Sequence, residues 1–265
     1  MTVAEGRLVE YERRGSVAVI TFNRPEKLNA MSDELAIELS DAMRRFDQDD
    51  DALVAVLNGR GRAFSSGADV HQRQLRPAEE VKELGGLAGR GANTGSLLTD
   101  CVNWKPVVAA VHGYTMGMAL GIAIDCEMVV ASEDTRFQLT EVGRGLGGER
   151  YYAGMHYRGA GTLANDVGLT GRFFTAREAL EGGLINRVVP AGTHLEAAIA
   201  VAEEIAANPP LSVRAIVRWR RIGAERAKRE ADLHSAALKL NQTEDFRESA
   251  LAFAEKRKPA PFKGR

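Results

Sequence analysis

Nearly continuous apolar runs are the clearest pattern in this chain. Runs of this kind that are rich in β-branched residues indicate strands covered on both faces. They occur at residues 17–22, 53–59, 107–113 and 127–132. Helical or irregular segments separate them, as crossover connections between parallel strands require. The pattern therefore predicts an α/β domain with a parallel sheet.

Apolar residues at helical spacing follow the first predicted strand. Leu35, Leu39 and Phe46 fall on one face of a helix over residues 33–46. Ser32 is a suitable residue to cap the N-terminus of this helix. The segment is the predicted crossover between the first two strands.

The pattern changes near Ala191. Successive segments with helical spacing follow it, and Arg, Lys and Glu are frequent at their polar positions. We predict an α/β part over residues 1–190 and a helical part over residues 191–265. Residues 72–99 show little hydrophobic periodicity and combine helix-forming with Gly-rich sequence. This segment fits either a mobile binding loop or a surface helix.

Composition and charge exclude some classes of function. The 265 residues are 45% hydrophobic and carry a net charge of −1, unlike a basic nucleic-acid-binding protein. The chain shows no signal-peptide pattern, no apolar run of about 20 residues and no metal-ligand spacing. Cys101 and Cys126 lack CxxC spacing and lie next to apolar residues. We expect a cytoplasmic protein with reduced thiols that binds no nucleic acid, membrane or metal.

Glycines are spaced four apart at Gly113, Gly117 and Gly121, where the third predicted strand leads into an apolar segment. Small residues at this spacing can let a helix pack closely on its neighbour. They can also expose free N–H groups of a first helical turn, where the helix dipole favours negative charge. A second small-residue run, Ser65 to Ala68, fits either a tight turn or a backbone ligand site. One N–H from each stretch could bind a single thioester oxygen.

Several collinear stretches resemble a known family. They are VAVITFNRPEKLNAMS, GRAFSSGADV, KPVVAAVHGYTMG, EDTRFQLTEVGRGLG, ALEGGLINRVVP and EDFRESALAFAEKRKPAPFKGR. Over nearly the whole chain, the sequence resembles the crotonase (enoyl-CoA hydratase/isomerase) superfamily. The resemblance implies a spiral of repeated ββα units and a C-terminal helical region that forms homotrimers, often paired as hexamers. It also implies an acyl-CoA thioester substrate, with coenzyme A as part of the substrate and no separate cofactor.

The resemblance assigns roles to residues in these stretches. The backbone N–H groups of Ala68 and Met118 correspond to the oxyanion hole for the thioester carbonyl. The family commonly has glycine where Met118 stands, so this side chain must point away or narrow the acyl pocket. The basic tail of Lys256, Arg257 and Lys258 either reaches phosphates or is a solvated run of charge. The residues that correspond to coenzyme A or substrate contacts are Lys27, Leu28, Ser66, Asp69, Val70 and Gly117.

The acidic residues depart from the family pattern. In hydratases of the family, two glutamates donate the proton and position the water; the first position corresponds to Gly121 here and the second to Glu141. Glu149 lies eight residues further on, where some relatives, such as dienoyl-CoA isomerases, have a functional acid. It belongs to the stretch ERYY, which replaces the usual Gly-rich text. Alternatively, Glu149 pairs with Arg144 or Arg150 or lies at the surface.

These residues predict an enzyme that stabilises a thioester enolate. We favour double-bond isomerisation or atypical hydration of an enoyl-CoA, with Glu141 as general acid and base and Glu149 assisting. A carboxyl group in a largely apolar pocket has a raised pKa, which suits it to accept and donate a proton. The alternatives are a CoA-thioester hydrolase or lyase of the same superfamily and a non-catalytic acyl-CoA-binding protein.

Overall fold

Residues 6–265 are described in the computed structural model, and their strands form two sheets. The strands are β1 (Val9–Arg14), β2 (Val17–Phe22), β3 (Val54–Gly59), β4 (Val107–Val111), β5 (Tyr114–Met116), β6 (Met128–Ser132), β7 (Arg136–Gln138), β8 (Phe173–Thr175) and β9 (Arg187–Val189). The larger sheet has the order β1-β2-β3-β4-β6-β9, and the smaller sheet has the order β5-β7-β8.

The helices of the same residues pack around the sheets. They are α1 (Asp33–Gln48), α2 (Ala78–Leu84), α3 (Met118–Asp125), α4 (Glu149–Tyr157), α5 (Gly161–Thr170), α6 (Ala176–Glu181), α7 (His194–Ala206), α8 (Pro210–Ser235) and α9 (Glu244–Ala254). The α2 helix lies in the weakly patterned segment 72–99 and is mostly exposed, as the surface-helix interpretation predicts for that part. Within residues 6–265, every helix is too short or too polar to cross a membrane.

The four apolar runs form the centre of the larger sheet. Strands β2, β3, β4 and β6 are parallel neighbours, with Val17 opposite Val54 and Val108 opposite Met128. The prediction of a parallel α/β sheet is confirmed, and α1 is the first crossover helix. Ser32 caps α1 as predicted, because its hydroxyl accepts the third-residue N–H of the helix at 3.2 Å.

Both faces of this sheet are covered, which explains the unbroken apolar runs. One face packs on α7 through residues such as Val19 and Val56. The opposite face packs on α1 and the rest of the core through residues such as Ile20 and Leu57. The α7 helix follows the predicted division near Ala191 and still packs on the sheet, so the division into two parts stays a prediction.

Sequence analysis missed β1 and the short strands. The β1 strand pairs antiparallel with β2 at the edge of the sheet, and its last three residues are charged and exposed. The strands β5, β7, β8 and β9 have three residues each, too few to show a period of two. They matter for the site because β5 leads directly from the larger sheet into α3, and β7 runs beside β5.

Candidate active site

In the loop after β3, the backbone N–H group of Ala68 is free. This loop pairs with the segment before α1. There the Met31 N–H donates to the Gly67 carbonyl at 2.8 Å, and the Asp69 N–H donates to the Met31 carbonyl at 3.1 Å. The intervening N–H of Ala68 has no acceptor within residues 6–265. A free amide that lines a cavity, as this one does, can donate to a ligand oxygen.

The start of α3 provides a second free N–H group. Gly117 precedes the helix with φ 50° and ψ −121°, a conformation that favours glycine. Its own N–H donates to the Gln138 carbonyl at 2.9 Å, and helical bonding begins with the Gly121 N–H, which donates to the Gly117 carbonyl at 3.0 Å. The N–H of Met118 is therefore free at the positive end of the helix dipole. A Cβ on Gly67 would lie 3.6 Å from the Met118 nitrogen, so the two small-residue stretches are in close contact.

Two cavities meet at these amides. The larger has a volume of about 550 Å³ and the smaller a volume of about 380 Å³. The residues that line both are Ala68, Gln74, Met118 and Glu141. The structure thus brings both predicted amide donors and one predicted carboxylate together where the cavities join.

The smaller cavity contains most of the residues predicted to contact coenzyme A. Leu28 is outside the lining, but its carbonyl accepts the N–H of Ser66 at 2.9 Å. Asp69 is ion-paired with Arg24 at 2.7 Å and accepts the N–H of Gln72 at 3.2 Å, so it also shapes the loop. Contact with coenzyme A stays a prediction for all of them. Those that line the cavity are Lys27, Ser66, Asp69 and Val70.

Glu141 follows β7, and its carboxylate lies against the backbone of Gly117. A Cβ on Gly117 would be 2.9 Å from Oε1, and a Cβ on Gly148 would be 2.8 Å from the Cβ of Glu141. The Thr140 hydroxyl donates to Oε2 at 3.3 Å. Desolvation raises the pKa of Glu141 to about 7, against the lowering effects of hydrogen bonds and of the Arg144 charge. Near neutral pH this carboxyl group is present in both protonation states.

Glu149 begins α4 and lines the larger cavity, but its contacts differ. Its Oε1 accepts a hydrogen bond from the Ser235 hydroxyl at the end of α8. Arg150 pairs with Glu225 at 2.6 Å and with Asp232 at 2.7 Å instead. In the described part of the chain Glu149 forms no ion pair with an arginine, so the predicted pairing with Arg144 or Arg150 is wrong, whereas the side chain is partly exposed. Its assistance in catalysis stays a prediction.

The ring of Tyr151 occupies the space where a side chain at position 121 would begin. A Cβ on Gly121 would overlap the edge of this ring. Tyr151 lies in the first turn of α4 and lines the larger cavity with Glu141. Sequence analysis assigned no role to Tyr151. The only indication of a role in the sequence was that ERYY stands where the family usually has a Gly-rich stretch.

Met118 lies where the two cavities meet, and a narrowing of the acyl pocket by its side chain stays a prediction. It lines both cavities, and its Sδ is 3.6 Å from Nη1 of Arg73. Arg73 is only 3% exposed and bonds to Asp33 at 3.0 Å and to the Ala92 carbonyl at 2.7 Å. Sequence analysis missed this buried cation, because no local pattern around it indicates burial.

The C-terminal tail makes local ion pairs. Arg257 pairs with Glu248 and with Glu255, at 2.5 and 2.6 Å. Phe253 at the end of α9 lines the smaller cavity, and the Arg144 guanidinium lies 3.7 Å from its ring centroid. Within residues 6–265, no cluster of three or more His, Cys, Asp or Glu side chains is arranged to hold a metal ion.

Similarity to known proteins extends over nearly the whole chain. The family model described as enoyl-CoA hydratase/isomerase matches residues 12–265. The (E)-benzylidenesuccinyl-CoA hydratase of Thauera aromatica is 34% identical over 97% of this chain and 99% of its own length. The short-chain-enoyl-CoA hydratase of Clostridium acetobutylicum is 32% identical over 96% of this chain and 97% of its own length. A crystal structure of carnitinyl-CoA hydratase from Mycobacterium avium has a TM-score of 0.77 at 34% identity, over 97% of this chain and 99% of that one. The predicted resemblance and fold class are confirmed.

Proposed function

The chain belongs to the enoyl-CoA hydratase/isomerase family, and we propose that it adds water reversibly to the double bond of a 2-enoyl-CoA thioester. The names of two relatives support this reaction. One observation carries the proposal: Glu141 lines the junction of two cavities together with the free N–H groups of Ala68 and Met118.

The two amides form the oxyanion hole in this mechanism. When water adds to C3 of the acyl chain, the electron pair of the C2–C3 double bond moves toward the thioester oxygen. The N–H groups of Ala68 and Met118 donate to this oxygen and stabilise the enolate more than the neutral carbonyl, because the negative charge on oxygen increases. Loss of one such donor typically lowers kcat by about 10²–10³-fold.

Glu141 moves the protons. As a carboxylate it takes one proton from the attacking water, and it then donates this proton to C2 of the enolate, which restores the thioester carbonyl. One group can perform both transfers because its pKa of about 7 lies close to neutral pH. The same steps in reverse dehydrate a 3-hydroxyacyl-CoA.

In this proposal the smaller cavity holds the coenzyme A part of the substrate and the larger cavity holds the acyl part. Lys27 lines the smaller cavity and is exposed, so its ammonium group is available to a phosphate. Gly117 contributes by letting the Glu141 carboxylate approach the oxyanion hole.

Double-bond isomerisation is the second candidate. It is favoured by Glu149, a second carboxylate on the larger cavity. In this reaction Glu141 removes a proton from C2 of a 3-enoyl-CoA, the oxyanion hole holds the dienolate, and a carboxylic acid returns a proton to C4. Either Glu141 or Glu149 can act as that acid, and no water is added.

We also infer that the chain forms a homotrimer or a homohexamer. The long α8 helix exposes apolar side chains, with Leu211, Trp219 and Leu233 each at least 75% exposed. Exposed apolar side chains along one element support an interface between copies. Sedimentation equilibrium should give three or six times the chain mass of 28.7 kDa, and a monomer mass would contradict the inference.

The test of the reaction is mass spectrometry of products from 2-enoyl-, 3-enoyl- and dienoyl-CoA thioesters in D₂O and in water labelled with ¹⁸O. Hydration adds one labelled oxygen and one deuterium to the 2-enoyl thioester. A product that gains deuterium but no labelled oxygen would favour isomerisation. A labelled free acid or a shortened acyl chain would favour a hydrolase or lyase. Tight acyl-CoA binding without turnover would favour a non-catalytic protein.

A further inference from the structure

We propose that the Tyr151 hydroxyl holds the water that adds to C3, in place of the side chain that Gly121 lacks. The inference rests on the hydration proposed above and adds a water-positioning residue to it. It depends on three properties of Tyr151: the position of its ring, the surroundings of its hydroxyl and the charges near it.

The ring of Tyr151 occupies the position where a side chain at position 121 would begin. An added Cβ on Gly121 would overlap Cδ1 and Cε1 of the ring and would lie 3.1 Å from Cζ. The hydroxyl is bonded to Cζ, so it lies one bond beyond this overlap. The ring from α4 therefore fills the start of the space that a side chain from α3 would have used, and Tyr151 lines the larger cavity together with Glu141.

The Tyr151 hydroxyl is available to a ligand. Within residues 6–265 it makes no hydrogen bond, and it is not among the fully buried polar atoms without a partner, so the protein does not cover it completely. Tyr151 and Glu141 line the same cavity of about 550 Å³ without bonding to each other. A water molecule needs only about 30 Å³, so a cavity of this volume has room for a water beside an acyl chain.

The neighbouring residue Tyr152 shows the contrast. Its hydroxyl donates to Oδ1 of Asn165, and it is absent from the lining of the larger cavity. The hydroxyl of Tyr152 is bonded to the protein itself, whereas that of Tyr151 has no hydrogen-bond partner within residues 6–265.

The charges around Tyr151 keep its hydroxyl protonated. Burial raises the pKa of Tyr151, the charges of Glu141 and Asp125 raise it further, and Arg150 and Arg73 oppose them. A neutral phenol accepts and donates hydrogen bonds without exchanging a proton. The attacking water therefore gives one proton to Glu141, and its second hydrogen is donated to the Tyr151 oxygen, which leaves the oxygen lone pair facing C3. Tyr151 is unchanged at the end of the cycle.

The test compares Tyr151→Phe with Tyr152→Phe and with the unchanged protein. Each variant removes one hydroxyl and keeps the ring, so Gly121 stays covered in both. Hydration of crotonyl-CoA is followed by incorporation of ¹⁸O from labelled water. Exchange of the C2 hydrogens of butyryl-CoA in D₂O is followed separately, because it needs Glu141 and the oxyanion hole but no water addition.

We expect Tyr151→Phe to lower kcat for hydration by about 10- to 100-fold, because a misplaced reactant costs about this much. The rate of hydrogen exchange at C2 and the KM for hydration should each change by less than about threefold. Tyr152→Phe should match the unchanged protein in both assays. Equal losses of hydration and exchange would overturn the assignment, since Tyr151 would then act through Glu141 or through packing. Unaltered hydration would overturn it as well.

The failure of this assignment can be told apart from a failure of the proposed function. If the unchanged protein incorporates no ¹⁸O into any 2-enoyl thioester, hydration itself is wrong and Tyr151 falls with it. Suppose instead that the unchanged protein and Tyr151→Phe both hydrate the thioester at the same rate, and that Glu141→Gln does not hydrate it. The proposed hydration then stands, and only the role of Tyr151 is overturned.

Discussion

Glu141 and Glu149 line one cavity from opposite ends of the same loop, yet their surroundings differ. Glu141 lies against the backbone of Gly117, and desolvation raises its pKa to about 7. Glu149 is bonded to the Ser235 hydroxyl, so its carboxylate is tied to α8. The spacing of the two acids along the chain thus brings both to one cavity, whereas desolvation and hydrogen bonding decide which one is suited to transfer protons.

Replacement of Glu141 by glutamine should have the largest effect. The amide keeps the shape of the side chain but cannot shuttle a proton, so kcat should fall by about 10²–10⁴-fold. KM should change by less than about threefold, because the oxyanion hole remains. Steady-state kinetics on the accepted thioester measures both constants. A loss in kcat smaller than about tenfold would contradict the central role of Glu141.

The raised pKa of Glu141 predicts how stability depends on pH. The folded state keeps this proton up to about pH 7, whereas the unfolded chain releases it near pH 4.5. The folded state binds more protons in this window, so the free energy of unfolding decreases as the pH rises through it, by about 3 kcal/mol at most. Chemical denaturation at pH 5 and pH 8 should show Glu141→Gln gaining stability relative to the unchanged protein at the higher pH. A difference between the two proteins that is the same at both pH values would refute the raised pKa.

Gly117→Ala should displace the carboxylate of Glu141. The added Cβ would lie 2.9 Å from Oε1 of Glu141 and 2.5 Å from the Thr140 hydroxyl, at a positive φ. We expect kcat to fall by about 10- to 100-fold, because displacements of about 1 Å at a reacting group cost this much. Gly143→Ala in the neighbouring turn is the matched control, since its Cβ would meet no atom within 4 Å. Equal kinetics for the two variants would show that close approach at Gly117 is unimportant.

Glu149→Gln should have the smallest effect on hydration. The amide oxygen can still accept from Ser235, so kcat should fall by about fivefold or less. Ser235→Ala removes this hydrogen bond and leaves the carboxylate in place, and it should also lower kcat by about fivefold or less. If Glu149→Gln lowers isomerisation of a 3-enoyl-CoA far more than hydration, the second candidate reaction gains support. If Glu149→Gln lowers kcat for hydration as much as Glu141→Gln does, the proposed difference in role between the two acids is wrong.

Local patterns made a large part of the fold predictable. The four apolar runs and the stripe of Leu35, Leu39 and Phe46 indicated the central strands and α1, because these elements are long enough to show their period. The edge strand β1 was missed because its exposed residues are charged, and the strands of three residues were missed because they are too short. Small residues after two strand ends left close packing and a backbone ligand site both open, and the family resemblance assigned the donors to Ala68 and Met118.

Local sequence patterns and the family resemblance were sufficient to predict the parallel α/β core, the family and one acid, Glu141, with a glycine, Gly121, at the position of the other. The group that covers Gly121 depends on tertiary packing, because the ring of Tyr151 comes from another helix, 30 residues further along the chain. The hydrogen bonding of Glu149 depends on tertiary packing as well, since its partner Ser235 lies 86 residues away. Both cases have one cause. Close packing places side chains from distant segments against each other, and the desolvation and hydrogen bonds that result depend on these contacts rather than on the local pattern.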